Sequence, residues 1–415
     1  MSGLRFCMVT TFYPPYNFGG DGIGIQRLAQ ALVRRGHSVT VLQDIDAYNL
    51  LRAGPEPVVT TSTDGVEVVR LRSRVGSLSV LLTQQTGRPI LNATPIQRFF
   101  KERQFDVINY HNISLVGGPG VLAYGDALKL YMAHEHWLVC PTHVLWRHGR
   151  EVCTGRECLK CSLAYRRPPQ FWRSTGYLES QLRHIDTFIA MSEFSRDKHR
   201  EFGFSRDMEV VNYFLPDHVP AKSDIGSPHN RPYFLFVGRL ERIKGLDDVI
   251  PLFKQYRGAD LLIAGDGEHA AVLRELAKGM ANVRFLGRID AGLLDRYYLN
   301  AFALIVPSVC FETFGIILIE AFRLGTPVIA RRIGPFPEIV ERGGGGLLFD
   351  GPDELLAAMQ RIQFEPYFRA KLADLARSGF AAHWTEDTVV PQYLDIVKRA
   401  AQARAKLNIV TAIEC

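Results

Sequence analysis

Ala303-Leu304-Ile305-Val306 runs into Pro307-Ser308 and then into a second apolar stretch that Gly325 and Pro327 bring to an end. The spacing predicts a strand, a turn and a helix reaching about Leu324. A strand that feeds a helix through a tight turn is the building unit of a parallel sheet, and such sheets present ligands at their carboxyl edge. Two carboxylates fall within this unit. Glu312 is placed in the turn at that edge, and Glu320 about two turns into the helix. One is positioned to meet one part of a ligand, the other a more distant part.

The same alternation recurs along the chain. An apolar strand over 4–10 leads into a glycine-rich loop, 12–24, which holds Gly19, Gly20, Asp21, Gly22 and Gly24. Helical spacing follows over 25–35, then a strand over 37–42. Further strands are expected at 66–71, 106–110, 129–133, 187–191 and 209–211. A polar stretch with four prolines, 216–232, reads as a linker. A second series begins after it, with strands at 233–237, 261–264, 283–286, 303–306, 327–330 and 347–349. The expected domains are therefore 1–215, carrying a cysteine-rich insertion at 138–175, and 233–383, followed by a terminal helix over 384–415 that packs back on the first domain. Two such α/β halves joined by one linker imply a cleft between them. The stretches 45–62 and 74–98 read as loops.

The chain has 415 residues and 47% hydrophobic content, enough for two cores. No apolar run approaches the ~18–20 residues of a membrane span, and the opening MSGLRFCMVTTFYPP lacks the order of a signal peptide. The expected location is cytoplasmic, with peripheral contact at the inner membrane face left open. A net charge of +6 fits a protein that handles phosphates or visits an anionic surface. No nucleic-acid motif accompanies it.

In order, FVGRLERIKGLDDVI (236–250), LLIAGDGE (261–268), VRFLGRI (283–289), IVPSVCFETFGIILIEAFRLGTPVIA (305–330) and GGLLFD (345–350) resemble the retaining glycosyltransferases of the GT-B fold, in particular the large family 4. The first half adds RRGHSVTVL (34–42) and HEHWLVCP (134–141). The resemblance implies two Rossmann-like domains facing across a cleft and transfer of a sugar from a nucleotide-sugar donor to a hydroxyl. It implies that Arg239 and Lys244 bind the donor diphosphate, for which a planar guanidinium and a compact ammonium are suited. It further places Glu320 on the ribose hydroxyls and Glu312 on those of the sugar, since carboxylates accept several hydrogen bonds. Phe314 and Gly315 open a helix whose free amides favour an anion. Gly20 is expected near the donor, and His134 beside the reacting sugar. His111, Asp21 and Ser192 are further candidates for acceptor or sugar contact. Asp44-x-Asp46 is read as loop and not as a metal site, and catalysis is expected to need no metal.

Cys140, Cys153, Cys158 and Cys161, four of the seven cysteines, are spaced C-x12-C-x4-C-x2-C. In a cytoplasmic protein that spacing points to a structural Zn2+, with an iron–sulfur cluster as the alternative. The basic, aromatic stretch that follows holds Arg166, Arg167, Phe171, Trp172 and Arg173. The acceptor is read as a lipid-linked saccharide in surface polysaccharide or glycoconjugate synthesis. The competing readings are a soluble small-molecule acceptor, or a nucleotide-sugar epimerase on the same architecture. Neither the donor nor the oligomeric state is written in the sequence.

Overall fold

The computed structural model describes residues 3–52, 55–57, 64–217 and 226–414. Contacts divide the chain into two compact units, Met1–Gly149 and Gly155–Asn212 with Val389–Cys415, and Arg150–Thr154 with Tyr213–Thr388. The centre of the proline-rich stretch at 216–232 lies outside the described residues.

The first unit is built on β1 (Arg5–Thr10), β2 (Ser38–Asp44), β3 (Glu67–Leu71), β4 (Val107–Tyr110), β5 (Leu128–Ala133), β8 (Thr187–Ala190) and β9 (Met208–Val210). All pair in parallel, in the order β3-β2-β1-β4-β5-β8-β9. Val9 stands opposite both Leu42 and Tyr110, so β1 is flanked on both sides. Parallel strands are covered on both faces, which is why these segments read as unbroken apolar runs. Two short strands, β6 (Trp146–Arg147) and β7 (Glu151–Val152), lie in the cysteine-bearing insertion.

The helices of this unit are α1 (Gly20–Arg34), α2 (Ile45–Leu51), α3 (Ser77–Thr86), α4 (Ala93–Glu102), α5 (Cys158–Ala164), α6 (Tyr177–Leu182) and α7 (Glu193–Glu201). Three of them correct the expectation of loops at 45–62 and 74–98; the stretch 58–62 lies outside the described residues. Asp44 starts α2 by accepting the Asp46 N–H at 2.8 Å. Burial pushes its carboxyl up to about 7. Asp44 is thus a helix cap. α3 is made of Ser, Thr, Gln, Leu and one Val with little helical striping, and Gly87 ends it at φ 67°. The glycine-rich segment is also more helical than its composition implies, because α1 begins at Gly20 and not near Ile25.

The second unit carries β10 (Tyr233–Val237), β11 (Asp260–Ala264), β12 (Val283–Gly287), β13 (Leu304–Val306), β14 (Val328–Arg331) and β15 (Gly346–Phe349). They too are parallel, in the order β12-β11-β10-β13-β14-β15. Helices α8 (Leu246–Val249), α9 (Ala270–Leu276), α10 (Ala291–Asn300), α11 (Ile316–Arg323), α12 (Phe336–Gly343), α13 (Pro352–Phe364) and α14 (Pro366–His383) cover it. Its core includes Phe234, Phe236, Ile263, Ile305 and Ile329.

The last helix, α15 (Glu386–Glu414), contributes its part from Val389 onward to the first unit. Asn109 donates to the Tyr393 hydroxyl at 3.1 Å, both groups buried. Arg399 pairs with Glu209 at 2.6 Å and Arg404 with Asp126 at 3.0 Å.

In both sheets the chain changes direction beside the first strand, between β1 and β4 and between β10 and β13. Helices leave to opposite faces on either side of such a point, so the loops at the carboxyl ends part and leave room for a ligand.

Candidate functional site

At the switch point of the second sheet, the loop after β10 carries Gly238, Arg239 and the single-turn helix Arg242–Lys244, and the loop after β13 carries Ser308 and Glu312. Gly245 allows these loops to dock. It adopts φ 73°, and a Cβ there would sit 2.1 Å from the Pro307 carbonyl oxygen. The Val309 N–H then donates to the Ile243 carbonyl at 2.9 Å. The docked loops bring Lys244 Nζ to 2.5 Å from Glu312 Oε1, and Ser308 Oγ donates to the same oxygen at 3.3 Å. Burial alone would lower the Lys244 ammonium, but the Glu312 carboxylate outweighs it and holds it above its ordinary value. Burial would raise Glu312, and Lys244 reverses that in turn. Both groups are charged. Arg239 is more open, and pairs with Glu241 at 2.8 Å.

Gly315 caps α11 at φ 120°, with no room for a side chain beside Phe336. Phe314 is buried against Tyr213 with ring centroids 5.6 Å apart, so what this position can offer a ligand is backbone. Glu320 is half-buried, and its Oε2 accepts from the Tyr298 hydroxyl at 3.2 Å. Tyr298 is fully buried on α10, and its own carbonyl accepts from Thr326 Oγ1 at 2.7 Å. Arg323 and Asp295, 2.9 Å apart, tie the same two helices. Sequence reasoning missed Tyr298 and Ser308. A tyrosine inside an amphipathic helix carries no mark that distinguishes it from packing.

In the first sheet the switch point lies beside Thr11 and His111. The Thr11 N–H donates to the Asn112 carbonyl at 2.5 Å, and its hydroxyl accepts from the Val116 N–H at 3.2 Å. Gly20, Asp21 and Gly22 form the first turn of α1, following Gly19 in extended conformation, and so present amides at a helix start. A Cβ on Gly22 would meet the Asn17 side chain at 2.4 Å. That glycine therefore serves close packing. Ser192, fully buried, caps α7 by accepting the Ser195 N–H at 3.0 Å. Its hydroxyl already has structural work.

His111 and His134 directly follow β4 and β5 and meet, Nδ1 to Nε2, at 2.8 Å. Their rings stack at 5.0 Å. Burial drives both imidazoles toward the neutral form, His134 to about 3, and His134 disfavours a charge on His111 further. One nitrogen of the pair therefore donates and the other accepts. Such groups bind no proton in the fold but bind one when unfolded below the ordinary histidine value. Their contribution to stability is present above that value and is lost as pH falls through about 6.5 toward 3. Denaturant unfolding is expected to show wild type losing stability between pH 7 and 5 more steeply than His134→Gln. Equal slopes would mean the pair is solvated.

Cys140 Sγ lies 3.2 Å from Thr142 Oγ1, and Cys161 Sγ accepts from the His148 N–H at 3.4 Å. Both cysteines are buried, Cys153 is partly exposed and Cys158 is exposed. Among the described residues, no three His, Cys, Asp or Glu side chains converge into a set that could hold a metal ion. The four-thiolate reading therefore rests on the cysteine spacing alone, and no step below runs through a metal. Metal analysis of purified protein tests it directly: zinc at one per chain is expected if the four thiols bind a metal, and its absence would overturn the reading.

Comparison with known proteins bears on both halves. Residues 18–214 match Glycosyltransferase Family 4, and residues 220–378 match Glycosyl transferases group 1. A glycogen synthase of Mycobacterium tuberculosis is 26% identical over 438 residues, covering 98% of each chain. An uncharacterized glycosyltransferase of Methanocaldococcus jannaschii is 24% identical, over 96% of this chain and 99% of its own. Among solved structures, a sucrose-phosphate synthase of Thermosynechococcus elongatus superposes with a TM-score of 0.73 at 19% identity, covering 96% of this chain and 100% of that one. HepE of Anabaena, in complex with UDP-glucose, gives 0.68 at 18% identity, covering 95% and 100%. These structures share the α/β fold of two Rossmann-like domains.

Proposed function

We propose that this chain, a glycosyltransferase by virtue of its Family 4 and group 1 domains, moves a hexosyl unit from a nucleotide-sugar donor to a hydroxyl with retention of anomeric configuration. The observation that carries this reading is the meeting of Lys244 and Glu312 at 2.5 Å at the switch point of the second sheet, with Arg239 on the same loop and Glu320 on the next helix. Charge develops on the diphosphate as the glycosidic bond breaks. Lys244, Arg239 and the amides that open α11 are the groups suited to stabilise it, without a metal. Glu312, already anchored by Lys244 and Ser308, keeps its second oxygen for hydroxyls of the sugar. Glu320, which accepts from the Tyr298 hydroxyl, is assigned to the ribose hydroxyls. His134 serves as a neutral hydrogen-bonding group beside the sugar, with His111 fixing its ring, and the start of α1 at Gly20 approaches the donor. The acceptor is read as a lipid-linked saccharide.

The test is a panel of UDP-, GDP-, ADP- and dTDP-sugars scored by melting temperature, followed by the anomeric configuration of the product by NMR. One donor class is expected to stabilise the protein, and the product is expected to keep the donor's configuration. Inversion would overturn the retaining mechanism. Turnover of donor to an epimer without acceptor would transfer the case to an epimerase.

A further inference from the structure

Residues 72–101 contain Arg72, Arg74, Arg88, Arg98 and Lys101 and no acidic residue. At the chain's own frequency, 43 acids in 415 residues, thirty positions would hold about three. A second acid-free stretch, 158–178, carries Lys160, Arg166, Arg167 and Arg173. The fold joins the two. Gln84 Nε2 donates to the Pro168 carbonyl at 2.9 Å, and Trp172 Nε1 donates to the Gln84 carbonyl at 3.0 Å.

The joined segments expose large apolar side chains that globular surfaces rarely gather. Val75, Leu78 and Leu81 are each about half exposed, Ile90 is 45% exposed, Leu91 39% and Phe171 67%. Leu78 and Leu81 are three apart and share one side of α3, while Ser79, Val80 and Thr83 face its interior. Arg74, Arg88 and Arg166 are exposed on the same two segments. The bordering acids are already engaged, Glu56 with Arg72 at 2.6 Å, Glu102 with Arg98 at 2.5 Å and Glu157 with Lys160 at 3.6 Å.

We propose that the surface formed by residues 74–91 and 163–173 is a peripheral docking face for an anionic lipid bilayer. Apolar side chains flanked by unneutralised arginines, without acids, match an interface of negative headgroups over hydrocarbon. No described helix is long and apolar enough to cross a membrane, so the contact is superficial. The location serves the chemistry. Residues 72–76 leave the carboxyl end of β3, and 158–173 belong to the crossover that leaves the carboxyl end of β5, which is also where His134 lies. An acceptor held in the bilayer would thus be presented at that edge. This deepens the proposed lipid-linked acceptor, but the surface itself can be tested without any acceptor.

The test is flotation of the full chain with neutral phosphatidylcholine vesicles and with vesicles containing phosphatidylglycerol at about 0.1 M salt, alongside nucleotide-sugar melting shifts. Binding to the anionic vesicles is expected, at least tenfold stronger than to neutral ones. Each exposed arginine near such a surface contributes about a fivefold gain. Leu78→Glu/Leu81→Glu and, separately, Arg74→Glu/Arg88→Glu are expected to lower binding at least tenfold while melting temperature and donor shift stay at wild-type values. Phe171→Ser provides a milder third variant. No binding to anionic vesicles, or binding unchanged in these variants, overturns the proposal. So does a dimer in light scattering that the same leucine changes dissociate, because the face would then belong to a second copy. Loss of the donor shift with vesicle binding intact would instead count against the enzymatic reading alone.

Discussion

Lys244→Ala is expected to destabilise the protein by about 2–3 kcal/mol and to abolish detectable nucleotide-sugar binding. Removing one partner of an enclosed ion pair leaves the other charge without compensation, a cost of about 3–5 kcal/mol when burial is complete. Here the side chains remain 20% and 25% exposed, so solvent screens part of that. The sign with pH follows from the two shifts. Glu312 is held below its ordinary 4.5, so its share is present above that value and is lost as pH falls through the folded one. Lys244 is held above its ordinary 10.5, so its share is lost only as pH rises beyond that. The gap between wild type and variant, measured by urea unfolding, should therefore be flat from about pH 5 to pH 10. Lys244→Met/Glu312→Leu should recover more than half of the stability and none of the donor binding. Recovery of both would reduce the pair to a structural strut.

Glu320→Ala is expected to weaken nucleotide binding roughly a hundredfold, about 3 kcal/mol, because two ribose hydroxyls would lose a charged acceptor. Tyr298→Phe should cost less, about three- to tenfold, since it frees the carboxylate to turn without removing it. The discriminating ligand is a 2′,3′-dideoxynucleotide. Both variants should bind it as wild type does, because it lacks the groups Glu320 is assigned to hold. An equal loss with ribose and dideoxyribose would show that α11 had been disturbed and that Glu320 has no specific role. The stability cost of Glu320→Ala should stay near 1–2 kcal/mol, that of leaving the buried Tyr298 hydroxyl unpaired.

The strands were readable because parallel strands buried on both faces need unbroken apolar runs. Tyr233–Val237 and Leu304–Val306 stand within a residue of where their composition places them. Helices α2 and α3 were not readable, since a side-chain cap from Asp44 and a pair of glycines set their limits while their own residues favour helix weakly. The places of the residues proposed for the site were legible in the same way. Arg239 and Lys244 follow β10, Glu312 follows β13 and Glu320 lies within α11, positions that local pattern alone can place. Their partners were not. The hydrogen bond from Tyr298 to Glu320 spans two helices, and His111 meets His134 across adjacent strands.

By itself, then, the sequence determined the alternation of strand and helix and which charged residues lie at the sheet edges, because both follow from spacing over a few residues. Only the tertiary structure decided that β1 lies beside β4 and β10 beside β13. It alone decided that the Pro307 carbonyl rests on Gly245, and that two acid-free segments join into one apolar, basic face. Those outcomes depend on contacts between residues far apart in the chain. No local periodicity encodes them, and the charge states they impose on Lys244, Glu312 and the histidine pair exist only once burial and neighbours are in place.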